Sequence, residues 1–584
     1  MHYSGKSSAN GHVVAHRPRE ISPGSVAKCR CNNAGDRFNA TTNLPVIAMS
    51  AFGEGEKHLR RILIAAIVCQ AIAFTAVAGA QNVVTINTGK LKGATHHGGT
   101  SFLGIPYAAP PVGNLRWRPP QPPAKWKGVR DALHYGHDCM QLLFPQDAAP
   151  ERTKPSENCL YLNVWTPAHH TGPLPVMVWI YGGGWVNGGS SPAVYNGKHF
   201  AQKGIVFVSF NYRLGRFGFF AFPALTKQSK TGLLGNYGYM DQIAALKWVQ
   251  KNISAFGGNP RDVTVFGQSA GGFSVHMLLT SPLTKGLFER AIIESGGGRK
   301  LLDATGVTVG RNGRPSAEQL GVNFARSMGI KGDGAKALKK LRALPAKDIV
   351  DGMNMASMGP AASTYPGPMI DGKVVTAQPE TLYKEGKYHH VPVMVGATNM
   401  DIGFSSAKNK QQLFAQFGAN AKAAEKAYDA ASAPNFFLLR MKVAADAMMV
   451  EPARFVAQTL SSQGDPVWEF RFAYVAHSMR NKWPGAPHAS EIPYVFDTVK
   501  AKYGAATTAQ DQKVAEEANS YWANFAKTGS PNGKGLPYWP EYKSSNDILM
   551  DFTENGPVAK PDPWKERLDL TEQLAHAHNK AARR

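Results

Sequence analysis

The sequence predicts an α/β protein: a central, mostly parallel sheet covered by helices on both faces and elaborated by helical insertions. Three observations carry this. Short apolar, β-branched runs alternate with segments of helical period. The runs are continuously apolar rather than alternating, the pattern of strands buried on both faces. No Pro- or Ser-rich linker divides the chain after residue 80, so the pattern belongs to one elaborated domain, 81–584.

Taken in order, the strand candidates are Val176–Ile180, Ile205–Val208, Val263–Phe266, Ala291–Ile293 and Val391–Val395. Between the second and third, Ile243, Leu246, Val249 and Ile253 fall on one face of a helical wheel. Gly257-Gly258 stops that helix. The regions 301–385 and 405–465 are rich in Ala, Lys and Met and helical in tendency. They read as insertions on the core, of the kind that cover a site as a lid.

Composition narrows the class. The chain has 584 residues, 43% of them apolar, which is enough for a large core and excludes wholesale disorder. Five cysteines exclude a disulfide-rich miniprotein, and no periodic repeat points to a fibrous or solenoid protein. The formal net charge is +24, yet no run of five like charges occurs and the basic residues are scattered. That describes a solvated basic surface rather than a nucleic-acid groove, and no nucleic-acid partner is expected.

The first eighty residues differ from the rest. Residues 1–48 show neither apolar period. Lys57, Arg60 and Arg61 then precede an apolar run, Ile62–Ala80, that ends in Ala78-Gly79-Ala80. A basic region, an apolar region and an A-x-A site together make a secretory signal peptide. The competing reading is a transmembrane anchor, since the run approaches the ~20 residues that cross a bilayer. The small residues at its end favour cleavage near Ala80, export to the periplasm or medium, and no stable membrane anchor. Met49 is well placed to begin this signal peptide, 49–80, with residues 1–48 not translated. Cleavage would discard Cys29, Cys31 and Cys69 and leave Cys139 and Cys159, either a disulfide pair or two buried thiols. Residues 81–584 keep 56 basic and 37 acidic residues, a net +19.

Two motifs carry chemistry. Gly267-Gln268-Ser269-Ala270-Gly271 follows the Val263–Phe266 strand directly and opens a helical stretch, Phe273–Thr280. This strand–turn–helix setting exposes a serine hydroxyl near a helix N-terminus, where the dipole favours developing negative charge. Tyr181-Gly182-Gly183-Gly184-Trp185 follows the Val176–Ile180 strand. Glycines let backbone N–H groups approach a reacting carbonyl, and those of Gly183, Gly184 and Ala270 are the candidates for an oxyanion hole. The run lacks the Lys-Ser/Thr ending of a phosphate-binding loop.

These segments and their flanks resemble the type-B carboxylesterase family, the cholinesterase-like branch of the α/β hydrolases. The resemblance runs from about Thr85 to Trp539-Pro540. Its landmarks include Phe102–Ala108, Leu115-Arg116-Trp117 and Ser156–Trp165, in which Asn158 replaces the family's usual Asp. Asn211-Tyr212-Arg213, Asp241-Gln242, Glu294-Ser295-Gly296 and Trp522–Gly529 also fit. The resemblance implies an α/β hydrolase fold, ester hydrolysis by a serine triad, a small-molecule ester substrate, and a disulfide matching Cys139–Cys159. It leaves the oligomeric state open.

It also completes the triad around Ser269. Gly485-Ala486-Pro487-His488-Ala489-Ser490-Glu491-Ile492-Pro493-Tyr494 resembles the family's G-x-x-H-x-x-E-x-P-Y segment, which makes His488 the general base. His276 reads as a packed histidine on the nucleophile's helix. The acid falls in Gly396-Ala397-Thr398-Asn399-Met400-Asp401-Ile402-Gly403, where Asp401 aligns with the family's Glu; Asp371 is the alternative. The chemistry implied is acyl transfer through an acyl-enzyme, with neither metal nor organic cofactor. A non-catalytic adhesion-type protein of the same family is the competing function, although those have typically lost triad residues. Trp185, Phe217 and Phe219 are candidates either for a pocket wall or for the core.

Overall fold

The computed structural model describes residues 82–301, 304–429 and 435–581. The expected signal peptide, the Met49 start and Cys29, Cys31 and Cys69 lie outside them.

One mixed sheet of eleven strands organises the domain. In chain order the strands are β1 Ala94–His96, β2 Gly99–Pro106, β3 Tyr161–Pro167, β4 Leu174–Ile180, β5 Val206–Phe210 and β6 Gly258–Gln268. They continue as β7 Arg290–Glu294, β8 Val393–Thr398, β9 Val467–Phe472, β10 Ile548–Thr553 and β11 Gly556–Pro561. Across the sheet they run β1-β2-β3-β5-β4-β6-β7-β8-β9-β10-β11. From β5 to β10 every neighbouring pair is parallel, while β1, β2 and β3 at one edge and β11 at the other pair antiparallel.

All five strand candidates fall in the parallel part. Every residue of Val176–Ile180 and Val206–Val208 is fully buried, as strands covered by helices on both faces must be. Of the helices, α1 (Tyr237–Asn252) turns Ile243, Leu246 and Val249 inward; a 3₁₀ turn, Ile253–Phe256, follows and ends at Gly257 in the left-handed region, φ 81°. α2 (Ala270–Thr280) starts at the residue after Ser269 and packs between β6 and β7.

The region 301–385 is, as expected, a set of short helices, among them Ala317–Ser327 and Ala335–Ala343. The region 405–465 divides in two. Its first part, up to Ala445, gathers Leu413, Phe414, Tyr428, Leu439 and Val443 into a small core of its own with Leu574 of α4 (Lys565–Ala581). Its last part, α3 (Glu451–Ser462), is not an insertion: it packs on β8 and β9 and buries Phe455, Val456, Ala457 and Leu460. Composition marks the helix but not its place, which Phe455, Val456, Ala457 and Leu460 set by their burial against those strands. Cys139 and Cys159 form a disulfide, Cα–Cα 4.9 Å. No helix among the described residues is long and apolar enough to cross a membrane.

Candidate active site

The parallel strands β4, β6, β7 and β8 deliver the candidate residues from their C-terminal ends. At the end of β6 the chain turns sharply into α2 with Ser269 at the corner, held at φ 57°, ψ −125°. That backbone is strained for a residue with a side chain, and strain of this kind persists only where the surroundings enforce it. Here the Ser269 N–H donates to the Glu294 carbonyl at the end of β7, 2.9 Å, and the Ser269 carbonyl accepts from Phe273 N–H. The turn also needs a bare Cα at Gly271: a methyl group there would stand 1.9 Å from the Ile180 carbonyl oxygen. Ser269 itself is partly exposed within otherwise buried sequence.

The glycine run lies at the end of β4. Gly183 has φ 95°, and a Cβ on it would stand 2.2 Å from the Asn187 carbonyl oxygen. The Gly183 carbonyl accepts from Val186 and Asn187 N–H, which closes the loop on itself. Among the described residues the Gly183 and Gly184 N–H groups donate to no protein acceptor, and Ala270, first in α2, has no partner within its helix. The run lies against the nucleophile: a Cβ on Gly182 would stand 2.9 Å from Ser269 Cβ.

The loop after β8 carries Asp401, and the loop bearing His488 is zipped onto it. Met400 N–H donates to the Ala486 carbonyl (3.0 Å), and Ala486 N–H to Asn399 Oδ1 (2.7 Å). A short helix, Ile492–Val495, anchors the histidine loop through fully buried Tyr494, Val495 and Phe496. His488 Nδ1–H donates to Asp401 Oδ1 at 2.5 Å. The Asp401 carboxylate accepts three further bonds, from Ile402 N–H (2.8 Å), Thr398 N–H (3.1 Å) and Ser295 Oγ–H (2.7 Å). Although one methylene shorter than Glu, Asp401 reaches the ring. Asp371 does not serve this site. Its carboxylate caps its own loop, accepting from Lys373, Val374 and Val375 N–H and from Asn236 Nδ2.

Burial alone would make both charges costly. It works to raise Asp401, but the His488 charge and hydrogen bond, with those of Ser295 and Ile402, outweigh it and hold the carboxyl below its usual value. Burial likewise opposes the His488 imidazolium, yet Asp401 lifts that ring above the ordinary histidine value. With Nδ1 holding the proton for Asp401, the lone pair of neutral His488 sits on Nε2. That atom lies 3.3 Å from Gln268 Nε2, the residue before Ser269; no hydrogen bond joins His488 to Ser269 Oγ among the described residues.

Sequence reasoning missed the groups around this pair. Ser295 stood in a recognised block but without a role. Glu294 and Glu491 are buried beside it. Glu294 Oε1 accepts from Trp522 Nε1–H at 2.7 Å; its Oε2 and both oxygens of Glu491 have no protein partner. Burial pushes each carboxyl up to about 8; for Glu491 repulsion from Glu294 adds to this and His488 opposes it. An acid at the C-terminal end of a core strand, as Glu294 is, was the available signal. His276 is a packed histidine: buried, Nδ1 2.7 Å from the Tyr383 hydroxyl, and pushed down to about 4 by burial. Trp185, Phe217 and Phe219 are all buried, and the Trp185 ring lies against Phe219 and Phe273.

A serine on a strained strand–helix corner, a carboxylate-bound histidine and free backbone donors suit acyl transfer. Comparison with known proteins agrees. Residues 80–570 match the carboxylesterase family. The chain is 35% identical to a fumonisin B1 esterase of Sphingopyxis macrogoltabida, over 78% of this chain and 84% of that protein. It is 35% identical to a para-nitrobenzyl esterase of Bacillus subtilis (82% and 97%), and 34% to a human cocaine esterase (81% and 88%). The sheet order, the flanking helices and these matches make the chain a member of the carboxylesterase family, with its α/β hydrolase fold and its activity as a carboxylic ester hydrolase.

Proposed function

We propose that the chain is an exported serine carboxylesterase in which Ser269, His488 and Asp401 form the triad, and the N–H groups of Gly183, Gly184 and Ala270 the oxyanion hole. The observation that carries this is the strained backbone of Ser269 at the end of β6, with the bound pair His488–Asp401 on loops at the same end of the sheet. In the first step Ser269 Oγ attacks the ester carbonyl carbon while His488 Nε2 takes its proton, in place of the Gln268 contact. Such contacts tighten on substrate binding. The backbone donors receive the oxyanion, each contributing ~3 kcal/mol in the transition state. The C–O bond to the alcohol then breaks, and His488 returns the proton to the leaving oxygen. Water repeats the sequence on the acyl-enzyme and releases the acid.

Ser269→Ala should lower kcat on a nitrophenyl ester by ~10³ or more while thermal unfolding stays close to wild type. A fluorophosphonate probe should label the wild type and not the variant. Undiminished turnover by Ser269→Ala would overturn the assignment, and failure of the wild type to react would favour a non-catalytic binding protein.

Export is supported by the basic–apolar–small pattern before Ala80 and by the Cys139–Cys159 disulfide, since such bonds persist in oxidising compartments. The N-terminal sequence of protein recovered outside the cytoplasm should begin just after Ala80.

A further inference from the structure

A cavity of about 280 Å³ is lined by residues 117–119, by the stretch 225–237 and by Arg342 of the helix Ala335–Ala343. None of these residues belongs to the proposed triad or oxyanion hole. Its size is close to the ~300 Å³ at which small-molecule pockets begin, so it admits one small molecule. Its lining divides by chemistry. One part is apolar and aromatic: Trp117, Leu225, Leu234 and Tyr237 are buried, and Leu233 is partly so. The Trp117 indole is already satisfied, since Nε1–H donates to the Arg216 carbonyl at 2.7 Å and the ring stacks on Phe220 at 4.5 Å. The other part is basic: Arg118, Lys230 and Arg342. Among the described residues no Asp or Glu lines the cavity.

Both guanidinium groups are anchored by one edge. Arg118 Nε–H donates to the Asn114 carbonyl at 2.9 Å, and Arg342 Nε–H to the Arg116 carbonyl at 3.1 Å. Their Nη–H groups meet no protein acceptor among the described residues. The Arg342 backbone is fixed in turn, because its carbonyl and that of Leu344 accept from Arg116 Nη1 at 2.8 and 2.9 Å. Burial and the charge of Arg118 together hold Arg342 below the ordinary guanidinium value. Burial pushes the Tyr237 hydroxyl up to about 12, and the charges of Arg213, Arg342 and Arg118 pull against it. The two arginines thus act on each other and on one wall of the cavity, with no acid between them. Such an arrangement is costly until an anion joins it.

We propose that this cavity binds a small organic monocarboxylate, its two oxygens held by the Nη–H groups of Arg118 and Arg342 and its short apolar body lying along Leu233 and the Trp117 and Tyr237 rings. A guanidinium matches a carboxylate as a planar fork, and such charge-assisted bonds are about twice as strong as neutral ones. The apolar wall favours a hydrocarbon body over a bare anion. Lys230, exposed on a flexible stem, adds attraction but no fixed geometry. Ester hydrolysis releases a carboxylate, so the cavity suits the enzyme's own class of product.

The test is calorimetric titration of the full chain with sodium hexanoate, after a fluorophosphonate has filled the active site. One site per chain is expected, with weaker binding at higher salt. Acetate, with the charge and almost no chain, should bind ~10-fold or more weakly, and so should hexanol, with the chain and no charge. Arg118→Gln/Arg342→Gln should weaken hexanoate ~10-fold or more, with thermal unfolding and fluorophosphonate labelling close to wild type. Arg118→Gln alone, at an exposed residue that bonds only its own turn, should weaken it in the same direction and serves if the double variant does not fold. Hexanoate that fails to bind the wild type, or that binds the variants as tightly, overturns the proposal. So does inorganic phosphate binding more tightly than hexanoate, since that would make this a site for a bare anion. Failure of the fluorophosphonate to label, read by mass, would count against the triad instead, and the arginine comparison would still decide the cavity.

Discussion

Ser295 donates its hydroxyl to Asp401 Oδ2 at 2.7 Å, on the side of the carboxylate away from His488. The proposed acid is thus aimed from two sides, one through a loop and one through the residue that follows β7. Hydrogen bonds to a charged group are worth about 1.5–3 kcal/mol. Ser295→Ala leaves Oδ2 with the Thr398 N–H alone and should lower kcat about 10-fold with little change in KM, because it acts on the base's orientation and not on substrate. Steady-state kinetics on one nitrophenyl ester decides it.

The bond between Asp401 and His488 should be visible in pH profiles. A base works when neutral, so with His488 as the proposed base kcat/KM should rise through the His488 pKa, which Asp401 holds above the ordinary 6.5. Asp401→Asn removes that charge; the acidic limb should move to lower pH and kcat should fall by ~10³–10⁴. The stability sign follows from the same shifts. His488, raised on folding, stabilises the fold below its unfolded pKa and loses that as pH rises through its folded value. Asp401, lowered, stabilises above its unfolded 3.8 and loses that as pH falls through its folded value. The difference in Tm between wild type and Asp401→Asn should therefore be greatest between about pH 4 and 6.5.

The legible parts of this fold share one physical property: uniform burial. β4, β5 and the core of β6 are apolar but for the small, buried Ser209 and Thr264, because helices cover both faces, and such runs stand out in a sequence. β9, equally buried, reads Val-Trp-Glu-Phe-Arg-Phe and was missed. Its Arg471 is paired with Asp562, nearly a hundred residues on, so its charge is satisfied only in three dimensions. The edge strand β1 is only three residues long, and its neighbour β2 and the other edge strand β11 are interrupted by Gly and Pro, so none carries a clear period. At the site the division is the same. Ser269 and the glycines lie in contiguous motifs enforced by local backbone geometry. Ser295, Asn187 and Glu491 gain meaning only from partners on other strands and loops.

Glu491 offers a test of the buried carboxyls. Its unfolded pKa is near 4.5 and its folded value about 8. Between those values the native state holds a proton that the unfolded chain has released, so stability declines as pH rises across that window. Gln cannot ionise and replaces a carboxyl that makes no protein hydrogen bond. Glu491→Gln should therefore raise Tm relative to wild type by a few degrees at pH 8 and by nothing at pH 4. Equal Tm values at pH 8 would mean that the carboxyl is not held protonated.

Removing the disulfide tests how firmly the site depends on its surroundings. Cys139 and Cys159 are separated by 20 residues in sequence, and closing a loop of that size is worth about 3 kcal/mol in a chain-entropy account. Two residues after Cys139, Gln141 Oε1 accepts from Gly188 N–H (2.9 Å) and from Asn187 Nδ2 (3.1 Å), while Gln141 Nε2 donates back to the Cys139 carbonyl (3.0 Å). The bridge is therefore one side chain away from Asn187, which holds the Leu142 carbonyl and the Met355 N–H beside the glycine turn. Cys139→Ser/Cys159→Ser should lower Tm, and wild type with a reductant should reproduce the drop. The kinetic effect should fall more on KM than on kcat, because Ser269 and Asp401 are held at the ends of β6 and β8, and His488 by its bonds to the Asp401 loop and by the Ile492–Val495 helix, rather than by this loop. A loss confined to kcat would place the loop's influence on the triad instead.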